Sequence, residues 1–102
     1  MGARTSSVRE AIQTLEVGKP VEVVLYKAVN LHQPSPDSPI SVKMPEGIAD
    51  DAAGGSICGY IRRWNVDHEI DIHAGQMYQG PAEYHIPVDA IHSVQRLVPE
   101  VR

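Results

Sequence analysis

The chain has 102 residues, a net charge of −4 and a single cysteine, Cys58. That length supports one domain with a modest core; the acidic balance excludes a global basic field for nucleic acid, and one cysteine excludes an intrachain disulfide. No apolar run reaches membrane-spanning length and the N-terminus carries no signal-peptide core, so the expected setting is a reducing one, the cytoplasm, with no membrane partner.

In chain order, Ser7-Val8-Arg9-Glu10 has the form of a capping box, a hydroxyl followed three residues later by a glutamate. Val8, Ala11, Ile12 and Leu15 then follow helical spacing, and Gly18 with Pro20 predicts the stop. A helix this short is unstable alone in water and must dock on the rest of the domain. Residues 21–29 are rich in β-branched side chains and predict a strand, with Val21, Val23 and Leu25 on one face and Val24 and Tyr26 partly covered on the other.

Residues 30–55 change character. Pro34, Pro36, Pro39 and Pro45 fall within twelve positions, and Asp50-Asp51-Ala52-Ala53-Gly54-Gly55 closes the segment. Only residues 40–44 have strand character, as a short edge strand. The segment reads as an insertion running over the surface.

Residues 57–72 organise the remainder. Ile57, Gly59 and Ile61 alternate on one face, the phase slips at Trp64, and alternation resumes at Ile70 and Ile72. Two strands joined by a tight turn give such a pattern, with Asn65 and Asp67 as turn residues. Gly59 suggests a bend or a close backbone approach, and Cys58, lying in this apolar run, is expected to be a buried, reduced thiol. A glycine-bounded loop follows at 74–81. Residues 83–88 predict a further strand, with Tyr84, Ile86 and Val88 on one face and Pro87 confined to an edge or strand end. Asp89 and Ala90 make a short connection, and residues 91–98 predict the last strand, ended by Pro99. The fold class is mainly β: an N-terminal α-helix followed by a five-stranded, strongly bent, SH3-like barrel.

This order resembles the Sm-like fold of Sm and Lsm proteins and of the bacterial RNA chaperone Hfq. Gly59, Ile61, Trp64 and Asn65, then Glu69, Ile70 and Ile72, match the spacing of the family's first motif. Ala90-Ile91-His92-Ser93-Val94 resembles the alanine-isoleucine end strand of the Hfq type. The resemblance implies a single Sm-like domain over 1–102 that is not an enzyme, needs no cofactor, and closes into a homo-oligomeric ring through its last two strands. The 30–55 insertion stands where the family has a tight turn.

The family binds RNA with two loops at one end of the barrel, and by resemblance those places fall here on Asn65, Asp67, Glu69 and Asp89. Three of the four are acidic. Carboxylates repel phosphate, whereas RNA affinity rests on cationic neutralisation and stacking. The implied pore therefore suits a cation or a basic peptide better than the family's RNA, although carboxylates still accept hydrogen bonds from base amino groups. Arg62 and Arg63, the adjacent basic pair, are candidate phosphate contacts set against a solvated strand face. Trp64 is a candidate base-stacking platform set against a packed indole, which is the family's usage. Glu69, Asp71 and His73 share one face of a strand and form a weak metal candidate, with a hydrated outer surface as the plainer account. His32, His68, His85 and His92 lack ligand-spaced partners. No nucleophile has a base and an orienting group, and no glycine loop cradles phosphate. The competing functional reading is a protein-interaction adaptor whose Pro-rich insertion carries the contact.

Overall fold

A computed structural model describes residues 2–33, 35, 38–43, 51–65, 67–73 and 83–97. The glycine-bounded loop at 74–81, the end of the expected last strand at Val98, and Pro34, Pro36 and Pro45 of the insertion lie outside these residues.

The chain opens with helix α1, Gly2–Gln13. Seven strands follow: β1 Pro20–Tyr26, β2 Asn30–His32, β3 Ile40–Lys43, β4 Ala53–Trp64, β5 Glu69–His73, β6 Glu83–Pro87 and β7 Ile91–Arg96, with a 3-10 turn at Val88–Ala90 between β6 and β7. They form one sheet in the order β2-β3-β6-β5-β4-β1-β7. Every pairing is antiparallel except β3 with β6, which is parallel. The mainly β class with a leading helix holds. Among the described residues, however, the strand count is seven rather than five, and their sheet is not closed into a barrel.

The two additional strands come from the segment read as an insertion. β2 and β3 form a hairpin with Leu31 opposite Val42. β3 then lies along β6 through Ile40 with Tyr84 and Ser41 with His85. The edge strand is therefore β2, not residues 40–44, and Val42 belongs to the core at 4 % exposure.

Strand β4 bends the sheet. Its first part pairs with β1 from Tyr26 opposite Ala53 to Pro20 opposite Tyr60, and its last part pairs with β5 from Tyr60 opposite His73 to Trp64 opposite Ile70. The phase slip in the sequence is a β-bulge within β4. Ile61 faces Ile72 and Trp64 faces Ile70, so two residues, Arg62 and Arg63, oppose Asp71 alone. The reverse turn comes after Trp64, where Asn65 N donates to Glu69 O at 2.9 Å and His68 N to Asn65 O at 2.8 Å.

Helix α1 begins at Gly2, so Ser7 lies within the helix and not at the expected start. Val8 and Ile12 bury one side of α1, and the helix packs against β7 and the 3-10 turn. Beyond the helix, Leu15 stays buried and its carbonyl accepts a 3.3 Å hydrogen bond from Trp64 Nε1. This is the packed-indole account of Trp64. Gly18 makes the reversal into β1 with φ 89°, a conformation that a Cβ opposes, and its N–H donates to Ile61 O at 2.7 Å. Val21, Val23, Ile61, Ile70, Ile72, Ile86 and Ile91 complete the core, each at 2 % exposure or less.

Cys58 is exposed, against expectation. Ile57, Gly59 and Ile61 take the inner face of β4, and period-two alternation turns Cys58 outward.

Candidate functional site

The residues assigned by resemblance to the loop end divide in two. Asn65 and Asp67 lie in the β4–β5 turn, and Val88 N donates to His68 O at 3.0 Å, which brings the 3-10 turn carrying exposed Asp89 against it. Asn65 Oδ1 accepts from the Asp67 N–H at 2.9 Å, so that oxygen serves the turn itself. Asp67 is met by α1: Arg9 Nη1 donates to its Oδ1 at 2.5 Å. The acidity of this end is thus partly offset by a cation that resemblance did not place there.

Glu69 belongs to a different cluster. Asp71 sits on the outer face of β5, with Arg63 of β4 on one flank and His85 of β6 on the other. Glu69 shares that face two residues away. Arg63 Nε donates to Asp71 Oδ2 at 2.7 Å, and the Asp71 side chain is 3 % exposed although the guanidinium is largely in solvent. His85 lies between two carboxylates, with Nδ1 3.6 Å from Glu69 Oε2 and Nε2 3.2 Å from Glu83 Oε2. His68 Nε2 approaches Glu69 Oε1 at 3.9 Å from the exposed turn. A cleft of about 370 Å³ lined by Arg63, Trp64, Asn65, His68, Glu69 and Asp71 opens onto this cluster.

The electrostatics are those of two carboxyls pushed apart in pKa by one another and by their surroundings. Hydrogen bonding to Asp71, then burial, then the Asp71 charge raise the Glu69 pKa, against smaller opposing effects of His85 and His68. Burial alone would push Asp71 up; hydrogen bonds from Glu69 and Arg63, with the nearby His85 and Arg63 charges, outweigh it and hold Asp71 below the usual carboxylate range. Asp71 Oδ1 is buried and meets no nitrogen or hydroxyl donor. A protonated Glu69 can serve it; an ionised Glu69 cannot.

Glu69, Asp71 and His85 each offer a ligand atom, and these atoms lie within 4.8 Å of one another. The expected grouping with His73 is corrected in its third member. Residues four apart on a strand are separated by roughly 13 Å, whereas cross-strand partners stand about 5 Å apart. His73 therefore sits a full strand length from Glu69, opposite Tyr60 and Glu83, while His85 is directly beside Asp71. The signal that finds His85 is strand register, which pairs residue 71 with residue 85. Arg62 and Arg63 do not act as a pair: Arg63 is tied to Asp71, and Arg62 is the exposed extra residue of the bulge.

A second cleft, also about 370 Å³, is more apolar and is lined in part by Leu15, Gly18, Pro20, Val21, Ile61 and Leu97. Exposed Leu97 lines both it and an adjoining depression, which exposed Tyr60 also lines. Among the described residues no helix is long and apolar enough to cross a membrane. No protein-family model, curated protein or solved structure matches the chain.

Proposed function

We propose that this chain is a non-enzymatic Sm-like module that assembles with copies of itself, with a role related to nucleic acid and altered at the loop end. One observation carries the reading: the strand run β7-β1-β4-β5-β6, with a 3-10 turn between β6 and β7, a bulged β4 shared between two halves of the sheet, and a leading helix packed on β7. The chain order of helix, strand, bent strand pair, strand, short turn and strand supports this reading, and β2–β3 is an addition to it. The nucleic-acid element rests on the sequence resemblance alone.

The edges favour a modified assembly. In the expected ring β6 and β7 meet head to tail. Here β6 is flanked by β5 and β3, so among the described residues the outermost strands are β2 and β7. A heterologous β2-to-β7 contact closes a ring as β6-to-β7 pairing would. Exposed Leu31 on β2 and exposed Leu97 just past β7 supply apolar area at those edges. At the loop end, Asp89 and the Arg9–Asp67 pair give a mixed, mildly acidic surface, unsuited to gripping oligo-U phosphates.

The test is light scattering on the purified chain beside Arg96→Pro. Leu97 N donates to Pro20 O, so Arg96, opposite Val21, directs its own backbone groups away from β1 toward the free edge. Proline there removes an outward donor and leaves the β1–β7 ladder intact. A defined oligomer that becomes a folded monomer supports the reading. A monomeric wild type removes it. Fluorescence polarisation with labelled oligo-U and oligo-A then tests the ligand: tight, salt-sensitive binding lost on Asp89→Lys would overturn the acidic loop-end account.

A further inference from the structure

We infer that Glu69, Asp71 and His85 form a binding site for a divalent first-row transition cation, with zinc as the best fit. The inference is independent of assembly and rests on the outer face of the sheet. Three observations converge.

First, the donor set is built on paired strands rather than on loops. Asp71 and His85 are cross-strand partners, and Glu69 is on the same face of β5. Their ligand atoms already lie within 4.8 Å of one another. A four-coordinate zinc with nitrogen and oxygen ligands at about 2.0–2.2 Å holds those ligands roughly 3.3–3.5 Å apart. Side-chain rotation covers the difference.

Second, Asp71 Oδ1 is a buried acceptor with no donor, on a side chain only 3 % exposed. Arg63 serves Oδ2 and leaves Oδ1 unsatisfied. A buried carboxylate oxygen in that state carries a desolvation cost that a cation relieves. Glu69, Asp71 and Glu83 against Arg63 leave the cluster with negative charge to spare when His85 is neutral.

Third, His85 is oriented as a ligand. Nε2 can donate its proton to Glu83 Oε2 at 3.2 Å, which leaves the Nδ1 lone pair facing Glu69 at 3.6 Å. A carboxylate behind the ring, fixing the tautomer and raising the basicity of the other nitrogen, is the usual support of a metal-bound histidine. The imidazole selects zinc and similar ions over magnesium and calcium, which take all-oxygen sets. The exposed His68, 3.9 Å from Glu69 at the mouth of the cleft, is placed to become a fourth ligand. The Arg63 charge beside Asp71 opposes the cation, so micromolar rather than picomolar affinity is expected.

The experiment is zinc titration of chelator-treated protein by calorimetry, with histidine ring resonances followed by NMR. The expected result is one zinc per chain, His85 as the ring most perturbed, and weak or absent response to magnesium and calcium. His85→Gln and Glu69→Gln should each weaken binding at least about tenfold, and Glu83→Gln should weaken it by about tenfold without removing a ligand. His73→Gln and His32→Gln should leave it unchanged. Binding that survives His85→Gln and Glu69→Gln, or that perturbs only His32, His68 or His92, would overturn the assignment, as would no binding by the wild type. The NMR readout on unmodified protein decides the matter even if a variant fails to fold.

Discussion

Replacing Glu69 by glutamine gives the most direct test of the β5 cluster. In the metal-free protein above the raised Glu69 pKa, Glu69 and Asp71 both carry charge, and the buried Asp71 Oδ1 has no donor. Glutamine removes the repulsion and presents an amide N–H₂ to that oxygen permanently. An unsatisfied buried acceptor costs about 1–3 kcal/mol. The Glu69 side chain is 30 % exposed, so water and salt screen part of the effect, and the lower end, about 1 kcal/mol, is the expected gain. For a domain of this size that corresponds to a rise in Tm of roughly 4–8 °C.

The advantage must fade as pH is lowered. Glu69 has a raised pKa in the folded state, so its contribution is fully present below its unfolded value and is lost as pH rises through the folded one. Asp71 has a lowered pKa, so its contribution is present above its unfolded value and is lost as pH falls through the folded one. The wild-type pair is therefore best placed between the lowered Asp71 value and the raised Glu69 value, holding one proton. Thermal or urea unfolding in chelator should show Glu69→Gln ahead of wild type at the alkaline end of a pH series, with the advantage vanishing in acid. A variant that is less stable at that alkaline end by a similar amount would refute the reasoning. It would show that the ionised Glu69 gains more from His85 and His68 than it loses to Asp71.

Other substitutions test the remaining supports. Arg63→Gln should destabilise the protein, because it removes the charge that holds Asp71 Oδ2, and Asp71→Asn in the same background should recover part of the loss; urea midpoints check both. Ile86→Ala, at a fully buried position, should cost about 3 kcal/mol. A Cβ at Gly54 would lie 2.7 Å from Lys27 Cα whereas one at Gly55 meets nothing, so Gly54→Ala should lose about 1–3 kcal/mol and Gly55→Ala should be near neutral by the same unfolding assay.

How far the sequence carried the fold depended on the period of each signal. Period-two alternation at Ile57, Gly59 and Ile61 and at Ile70 and Ile72 located the inner faces of β4 and β5. The slip between them was legible, but a bulge and a turn leave the same trace, since each changes phase by one residue. β2 was missed because Asn30–His32 is too short to show a period. The start of β4 was hidden by Gly54 and Gly55, residues of low strand propensity, of which Gly54 sits where β4 approaches β1 too closely for a side chain. At the site, Glu69 and Asp71 were visible as neighbours on one face of one strand. His85 was not, because its proximity to Asp71 is a fact of register between strands separated by residues 74–82. Arg9 is further still from Asp67 in sequence, and only the docking of α1 brings the two together.

The β2–β3 hairpin links the two proposals, and its removal is the last test. Tyr26 already faces Ala53, and Lys27 N donates to Ala52 O at 2.8 Å, so β1 and β4 are at hairpin distance without the residues between. Replacing 28–51 by a short glycine-containing turn adds little loop-closure cost. The loss lies in packing: Val42 leaves the core at 4 % exposure, worth about 1.5–3 kcal/mol, and β6 loses its neighbour. The shortened chain should therefore fold with stability reduced by about 2 kcal/mol. Two consequences should follow. The bared β6 edge becomes the natural partner of β7 in a neighbouring copy, so the shortened chain should associate more strongly in light scattering than the parent. His85, which sits opposite Ser41 of β3, loses a flank, so zinc affinity should fall while the ligands remain. A shortened chain as stable as the parent would show that the hairpin contributes no packing. One that stays monomeric where the parent assembles would show that β2 supplies the assembling edge and that a free β6 cannot replace it.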